Sequence, residues 1–316
     1  MGKQSSLVKG SAFNNSVQTV GRASSLIKAM DMWNDPLGTA DLEQPLQNES
    51  LFGRIAFIES GGVRLDSKEL DLEFVVPFDD DIEANEAEIT VYNLSKTTVE
   101  ALKYNNQISI TAGYGDDTGV IFRGYISKVT TRFDGLDKIT QIYAIDSEDL
   151  QERDIVDVEY SAGTSASYIL KDLIGRVSLP LAVFNLRRDW TYKDSVKIDG
   201  GLMDNIKKYA EVCGISVYIN KGKIYARHLT EGDNLNFNVN VDTGLIESPT
   251  EFEEEVTAED YKDIVKGLNL KMVLQYRMTT AAIINLTSKN VSGQYRVRSG
   301  KHVFSPDESI TEIEVI

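Results

Sequence analysis

The chain has 316 residues, a hydrophobic share of 41% and a formal net charge of −16 at pH 7. That length exceeds what one hydrophobic core serves and predicts two or three domains. The acidic balance excludes a protein that grips nucleic-acid phosphates over a broad basic surface, no run approaches the ~20 apolar residues of a membrane helix, and a single cysteine, Cys213, excludes an internal disulfide framework and suits assembly in a reducing cytoplasm.

Residues 1–50 are rich in Ser, Asn, Gln and Gly, and no apolar core of a signal peptide follows Leu7 and Val8. Val17, Val20, Ile27 and Met30 fit one amphipathic helix, stopped by Asn34-Asp35-Pro36. This is expected to be an arm that docks on the rest of the chain or on a neighbouring subunit.

From Gly53 to Asp146 strand follows strand. Ile55, Phe57 and Val63 come first, then Leu70, Leu72, Phe74 and Val76 alternate with polar partners. Ile89 and Val91 mark the next strand. Ser95 caps a short helix, SKTTVEAL. Ile108, Ile110 and Ala112 face one way in a strand that ends at Gly113-Tyr114-Gly115-Asp116-Asp117. Val120 to Val129 resumes with Phe122, Gly124 and Ile126, Asp134-Gly135 turns, and Ile139, Ile142 and Ile145 close the set. Many short strands with regular turns predict a barrel or sandwich over residues 51–155.

From Ser161 the period becomes helical. Tyr168, Ile169, Leu173 and Val177 share a face that Ser161 or Thr164 would cap. Leu181–Phe184 is a short strand. Ile206, Tyr209, Ala210 and Cys213 form the buried face of a second helix, with Gly214 as its C-cap, so Cys213 reads as a small buried hydrophobe rather than a nucleophile. Ile215–Ile219 and Lys223–Arg227 form a hairpin across Asn220-Lys221-Gly222. Residues 156–232 are thus an α/β unit.

Residues 233–316 return to β. GLIESPTEFEEE is read as a strand leading to a loop, Ile264–Tyr276 and Ala281–Leu286 as strands, and the end as a hairpin. In that hairpin Tyr295 and Val297 point inward, Pro306-Asp307 turns, and Ile310, Ile313 and Val315 finish. The acidic runs Asp79-Asp80-Asp81 and Glu253-Glu254-Glu255 are read as solvated loops.

Chemistry is sparse. His228 and His302 lack a Cys or His partner at ligand spacing. Asp79, Asp81 and Glu83 offer calcium-type oxygens without the glycine and distal glutamate of an EF-hand loop. Gly113, Gly115 and Gly119 lie between strands, which is a hairpin and not a phosphate loop, and no G-x-S-x-G elbow occurs. A glycosidase needs two carboxylates in an aromatic groove, but Trp33 and Trp190 fall outside the barrels. Tyr104, Tyr114, Tyr160 and Tyr192 are candidate platforms for a receptor- or carbohydrate-binding module. No catalytic, cofactor-binding or metal-binding residue is assigned, and no cofactor is expected.

The order of motifs resembles the baseplate hub (tail hub) proteins of long-tailed phages and phage-derived bacteriocins. The first barrel matches through "strand, Y-N-L-S, short helix", "I-x-A-G-Y" and "I-F-x-G-x-I". The insertion matches through "W-T-Y-K", "I-x-G-G-L-M-D-N-I", "A-E-x-C-G" and "Y-I-N-K-G-K-I-Y", and the end through "G-x-Y-x-V-x-x-x-x-H … T-x-I-E-V". The resemblance runs from about residue 50 to 316. It implies a mainly β chain with an α+β insertion: an N-terminal helical arm (1–50), a tube-like β-barrel (51–155), a small α/β domain (156–232) and a second tube-like barrel (233–316). It further implies a homotrimer whose ring of six similar units joins a sixfold tail tube protein to a threefold central spike protein. Other baseplate proteins and a tape measure are further partners, and DNA passes through the lumen without specific binding. The implied location is the virion's tail baseplate, assembled in the host bacterial cytoplasm. The charge of −16 per chain leads to the expectation of a mainly acidic lumen wall.

Overall fold

The computed structural model describes residues 51–147, 153–258 and 261–316. The expected N-terminal helix, with Val17, Val20, Ile27 and Met30, and also Trp33, lie outside these residues. The elements in chain order are β1 (Arg54–Ser60), β2 (Val63–Asp66), β3 (Leu72–Phe78), β4 (Glu86–Tyr92), α1 (Lys96–Ala101), β5 (Gln107–Tyr114), β6 (Asp117–Asp134) and β7 (Asp137–Ile145). There follow β8 (Asp154–Tyr160), α2 (Ala166–Gly175), β9 (Leu181–Phe184), β10 (Val196–Gly201), α3 (Leu202–Cys213), β11 (Ser216–Asn220) and β12 (Lys223–Arg227). The last group is β13 (Asp233–Val239), β14 (Thr250–Ala258), β15 (Tyr261–Val273), β16 (Ala282–Thr287), β17 (Ser292–Phe304) and β18 (Ser309–Val315). The fold is mainly β with an α/β insertion.

One sheet runs through both β regions in the order β14-β15-β18-β17-β3-β4-β7-β6-β5-β1-β2, with β16 joined to β17 and β13 to β16. Ile89, Val91, Ile108, Ile110 and Phe122 lie in one buried cluster, as their alternation predicts. The sheet bends round that cluster until its far parts meet. The Arg54 guanidinium donates to the carbonyls of Ser305 and Pro306, and the Tyr114 hydroxyl to that of Ser309, although β3, β4, β7 and β6 lie between β5 and β17 in the strand order.

The phase of β1 differs from the reading by one residue. Ala56 and Ile58 are buried, whereas Ile55 and Phe57 face the other side, where the Arg64 guanidinium covers the Phe57 ring at 3.5 Å. Four apolar residues in a row give a strand but no phase, and the cation's stem and charge supply the cover that burial would have given.

The insertion has its own core. The N-cap of α2 is Ser165, whose hydroxyl accepts from the Tyr168 amide, while Thr164 instead bonds the Ser161 carbonyl. This places Ala166, Ile169, Leu170, Leu173 and Ile174 on the buried face and leaves Tyr168 exposed, contrary to the expected face. Helix α3 follows the reading: Ile206, Tyr209, Ala210 and Cys213 are buried, and Gly214 ends it in the left-handed region with φ 68°. The hairpin β11–β12 is extended by β9, parallel to β12, and β8 pairs with β10. The segment read as a loop after Pro249 is β14, antiparallel to β15. A third cluster packs β13, β15, β16, β17 and β18.

Candidate assembly surface

The three cores meet at the loop between β3 and β4, which corrects the reading of its acidic run as solvated. Ile82, within this loop of the first β region, is 1% exposed and belongs to the insertion's core. Around it the polar groups are anchored on β17, on α3 and at Thr280. Asp80 pairs with Arg296 at 2.9 Å and with Arg298 at 3.6 Å, both on β17, and the Arg296 and Asp80 side chains are 4% and 11% exposed. Lys207 of α3 reaches Glu83 at 2.7 Å and Asp81 at 3.5 Å. The Thr280 hydroxyl donates to the Asp79 carbonyl. One loop therefore fixes the insertion and the second β region on the first.

A second tie joins β6 to the segment after β15. Arg277 holds Asp117 with two bonds of 2.8 Å, and the Tyr276 hydroxyl donates to the same carboxylate. Gly119 lies under the Tyr276 ring so closely that a Cβ there would stand 2.1 Å from it. A side chain at that position would displace the clamp.

Two buried titratable groups lie near these ties. Asp146 accepts from the Asn85 amide and side chain at 3.0 and 3.2 Å, and burial pushes its pKa up to about 7. Burial likewise raises Asp79, which faces it. His302, fully enclosed, has its pKa lowered to about 3, chiefly by burial with Lys221 adding repulsion. Its Nδ1 lies 2.9 Å from the Thr311 hydroxyl and its Nε2 3.1 Å from the Met278 carbonyl. The Thr311 oxygen also accepts from the Gln275 amide, so the network assigns a neutral ring protonated at Nε2.

The two β regions repeat one strand plan. In the first, β3 pairs β4, β4 pairs β7, and β7 pairs β6. In the second, β14 pairs β15, β15 pairs β18, and β18 pairs β17. Each final hairpin strand is also joined by an antiparallel neighbour, β5 on β6 and β16 on β17. Even an irregularity repeats: β6 skips one residue against β7 between Ile126 and Lys128, and β17 skips one against β18 between Val297 and Ser299. The halves join in one band because β17 also pairs with β3, Val303 opposite Val75 and Phe304 opposite Phe74, whose rings stack at 5.3 Å.

The face of this band turned away from the cores carries both signs. Lys271, Glu312, Lys301 and Pro77 form one cross-strand row. Lys271 lies within 3.8 Å of Glu247, Glu308 and Glu312, and Lys301 is 2.8 Å from Glu312. In the next rows stand Glu314 beside Ser299, and Glu88 opposite Tyr143, whose ring lies under Lys128. Such exposed pairs contribute little to stability. They do cancel the local positive potential.

The other sequence candidates separate. Tyr114 and Tyr160 are buried, Tyr192 packs edge-on against Tyr209, and Tyr104 and Trp190 alone remain exposed among the five described aromatic candidates. Burial raises the Cys213 thiol to about 11, which suits a packing residue. His228 bonds Thr230 and Arg187 and shares no hydrogen-bond partner with His302. Among the described residues no group of three or more His, Cys, Asp or Glu side chains could hold a metal ion, and no helix is long and apolar enough to cross a membrane.

No protein-family model and no curated protein matches the chain. Solved structures do match its fold. A 43 kDa tail protein of prophage MuSo2 from Shewanella oneidensis superposes with TM-score 0.61 at 7% identity, over 84% of this chain and 97% of that one. A tail protein from Neisseria meningitidis gives 0.59 at 9% identity, over 84% and 96%. An Escherichia coli type VI secretion component, described as similar in structure to the T4 bacteriophage tail proteins gp27 and gp5, gives 0.57 at 10% identity, over 82% and 76%. The chain has the fold of phage tail proteins.

Proposed function

We propose that the chain is the structural hub of a phage or phage-like tail baseplate, a homotrimer that joins the sixfold tail tube to the threefold central spike. The repeated strand plan carries this reading. Three chains with two equivalent halves each present six similar units, which is what a joint between sixfold and threefold partners requires. Tube protein, spike protein, other baseplate proteins and a tape measure are its proposed neighbours in the virion tail, after assembly in the host cytoplasm. Its role is geometric, not catalytic.

The uncovered face of the band is the proposed lumen wall. A mainly acidic wall remains part of the proposal: on this face Lys271 and Lys301 are engaged by Glu308 and Glu312. A polyanion gains affinity by releasing counterions onto free cations. Cations already neutralised by carboxylates offer no such gain, so DNA slides past. A receptor- or carbohydrate-binding module is the alternative, and of its four candidate tyrosines only Tyr104 is exposed.

The test is the mass of the purified protein in solution, with and without residues 1–50. Three chains per particle is the expected result for the full chain. A monomer at every concentration overturns the ring, and specific binding of purified cell wall or sugar in its place supports the alternative.

A further inference from the structure

Among the described residues one buried guanidinium keeps a donor that nothing accepts. Arg296 on β17 is 4% exposed. Its Nε donates to the Glu231 carbonyl at 2.9 Å and its Nη1 to the Asp80 carboxylate at 2.9 Å, but its Nη2 has no hydrogen-bond partner. Buried polar groups are paired in the great majority of cases, and a charged one that is not marks a place for a water or an ion.

The groups around that donor are donors as well. Arg296 is bonded to the turn between β12 and β13, in which the Glu231 amide donates to the His228 carbonyl at 2.9 Å. The Nδ1 of His228 accepts from the Thr230 amide at 3.2 Å and lies 3.1 Å from an Arg187 nitrogen, which can only donate. The ring proton is therefore on Nε2, assigned by the network, and that N–H has no acceptor among the described residues. Tyr218 on β11 is fully buried and accepts from the Arg227 Nε at 2.8 Å, while its own hydroxyl hydrogen has no acceptor there either. Burial lowers the pKa of the His228 ring and raises that of the Tyr218 hydroxyl, and the Arg296 charge acts on both, downward in each case.

We propose that a small inorganic anion binds between the insertion and the second β region, with Arg296 and Tyr218 at its buried end and His228 and the exposed Arg187 at its mouth. Donors without an acceptor favour an occupant that only accepts, whereas a water must donate too. The charges agree. Arg187, Arg227, Arg296 and Arg298 stand against Asp80, Asp233 and Glu231, so the cluster carries one excess positive charge. Glu231 is the carboxylate that acts on His228, and the Asn185 side chain already donates to it at 2.7 Å. Chloride and the inorganic oxyanions share this chemistry, and size separates them. Because Arg187, Tyr218 and His228 belong to the insertion and Arg296 to β17, the ion ties the two regions together.

The experiment is thermal unfolding of the full chain in inorganic phosphate, in chloride and in gluconate, at equal ionic strength and over a range of concentrations. The expected result is a midpoint that rises and saturates in phosphate, which assigns an oxyanion, or in chloride, which assigns a halide, but not in gluconate. Exclusion of phosphate from the protein surface also stabilises, though without saturation. Two variants locate the effect. Arg187→Ala removes a donor at the mouth, on an exposed side chain, and should weaken binding; Glu231→Gln removes a negative charge and none of the donors, and should tighten binding several-fold. Equal midpoints in the three salts at every concentration overturn the proposal and leave a water on Arg296. A saturating rise whose concentration dependence is the same in the parent and in both variants places the ion elsewhere and overturns the site.

Discussion

Asp146 and His302 are buried in opposite senses, and their titrations should cancel until one is removed. The pKa of His302 is about 3 in the folded chain against an ordinary 6.5. Its contribution to stability is present above pH 6.5 and is lost as pH falls toward 3. Asp146 titrates at about 7 against an ordinary 3.8, so its contribution is present below 3.8 and is lost as pH rises through 7. Between 3.8 and 6.5 the unfolded chain holds a proton on the histidine and the folded chain holds one on the aspartate. The net difference is near zero. Asp146→Asn removes one side of that balance. Relative to the parent, the variant should lose stability on acidification by about 1.4 kcal/mol per pH unit in this window, or ~2 kcal/mol between about pH 6 and pH 4.5. His302→Gln should change the difference with the opposite sign. Urea unfolding at fixed protein concentration, repeated across the window, measures both slopes. Parent and Asp146→Asn curves that run parallel would show that Asp146 is not protonated in the folded chain, and the reasoning fails.

Three further outcomes follow from the ties between cores. Gly119→Ala puts a Cβ against the Tyr276 ring, and thermal unfolding should show a loss of about 1–3 kcal/mol; an unchanged midpoint means that the ring gives way without cost. Ile82→Ala empties a position inside the insertion's core at roughly 2–5 kcal/mol, and the insertion should become the first region cut in limited proteolysis. Asp80→Ala leaves the Arg296 guanidinium buried without its carboxylate, a loss of about 3–5 kcal/mol; a thermal midpoint equal to the parent's would contradict the assigned pairing.

Local patterns made much of this fold legible. Leu72, Phe74 and Val76 on β3, and Ala87, Ile89 and Val91 on β4, alternate without interruption, so strand and buried face follow together. Helix α3 has a single apolar stripe and a glycine at its end. Where the phase failed, at Ile55 to Ile58, apolar residues occupied both parities, and a cation from β2 decided which ring was left outside. Strand β14 was hidden by its glutamates, which suit a strand with one free edge as well as they suit a loop. The loop from Asp79 to Glu83 was misread for a different reason. Its partners Arg296 and Lys207 lie more than a hundred residues away in sequence, and three adjacent aspartates give no sign of them. The repeated strand plan was least legible of all. It lies in which strands pair, and the seam of β17 with β3 joins segments more than two hundred residues apart.

Where β17 meets β3, Phe304 stacks on Phe74, Val303 lies opposite Val75, and Phe78 packs against the His302 ring. This seam closes as the chain folds and never waits in solvent, so apolar side chains serve it. The edges of β6 beyond Tyr125 and of β14 have no further strand beside them among the described residues. An exposed apolar edge would pair with any strand it met, and charged residues are the usual protection. Lys128, Thr130, Thr131 and Arg132 on one edge, and Thr250, Glu251 and Glu253 on the other, provide it, with Glu253 itself held by Lys266 of β15.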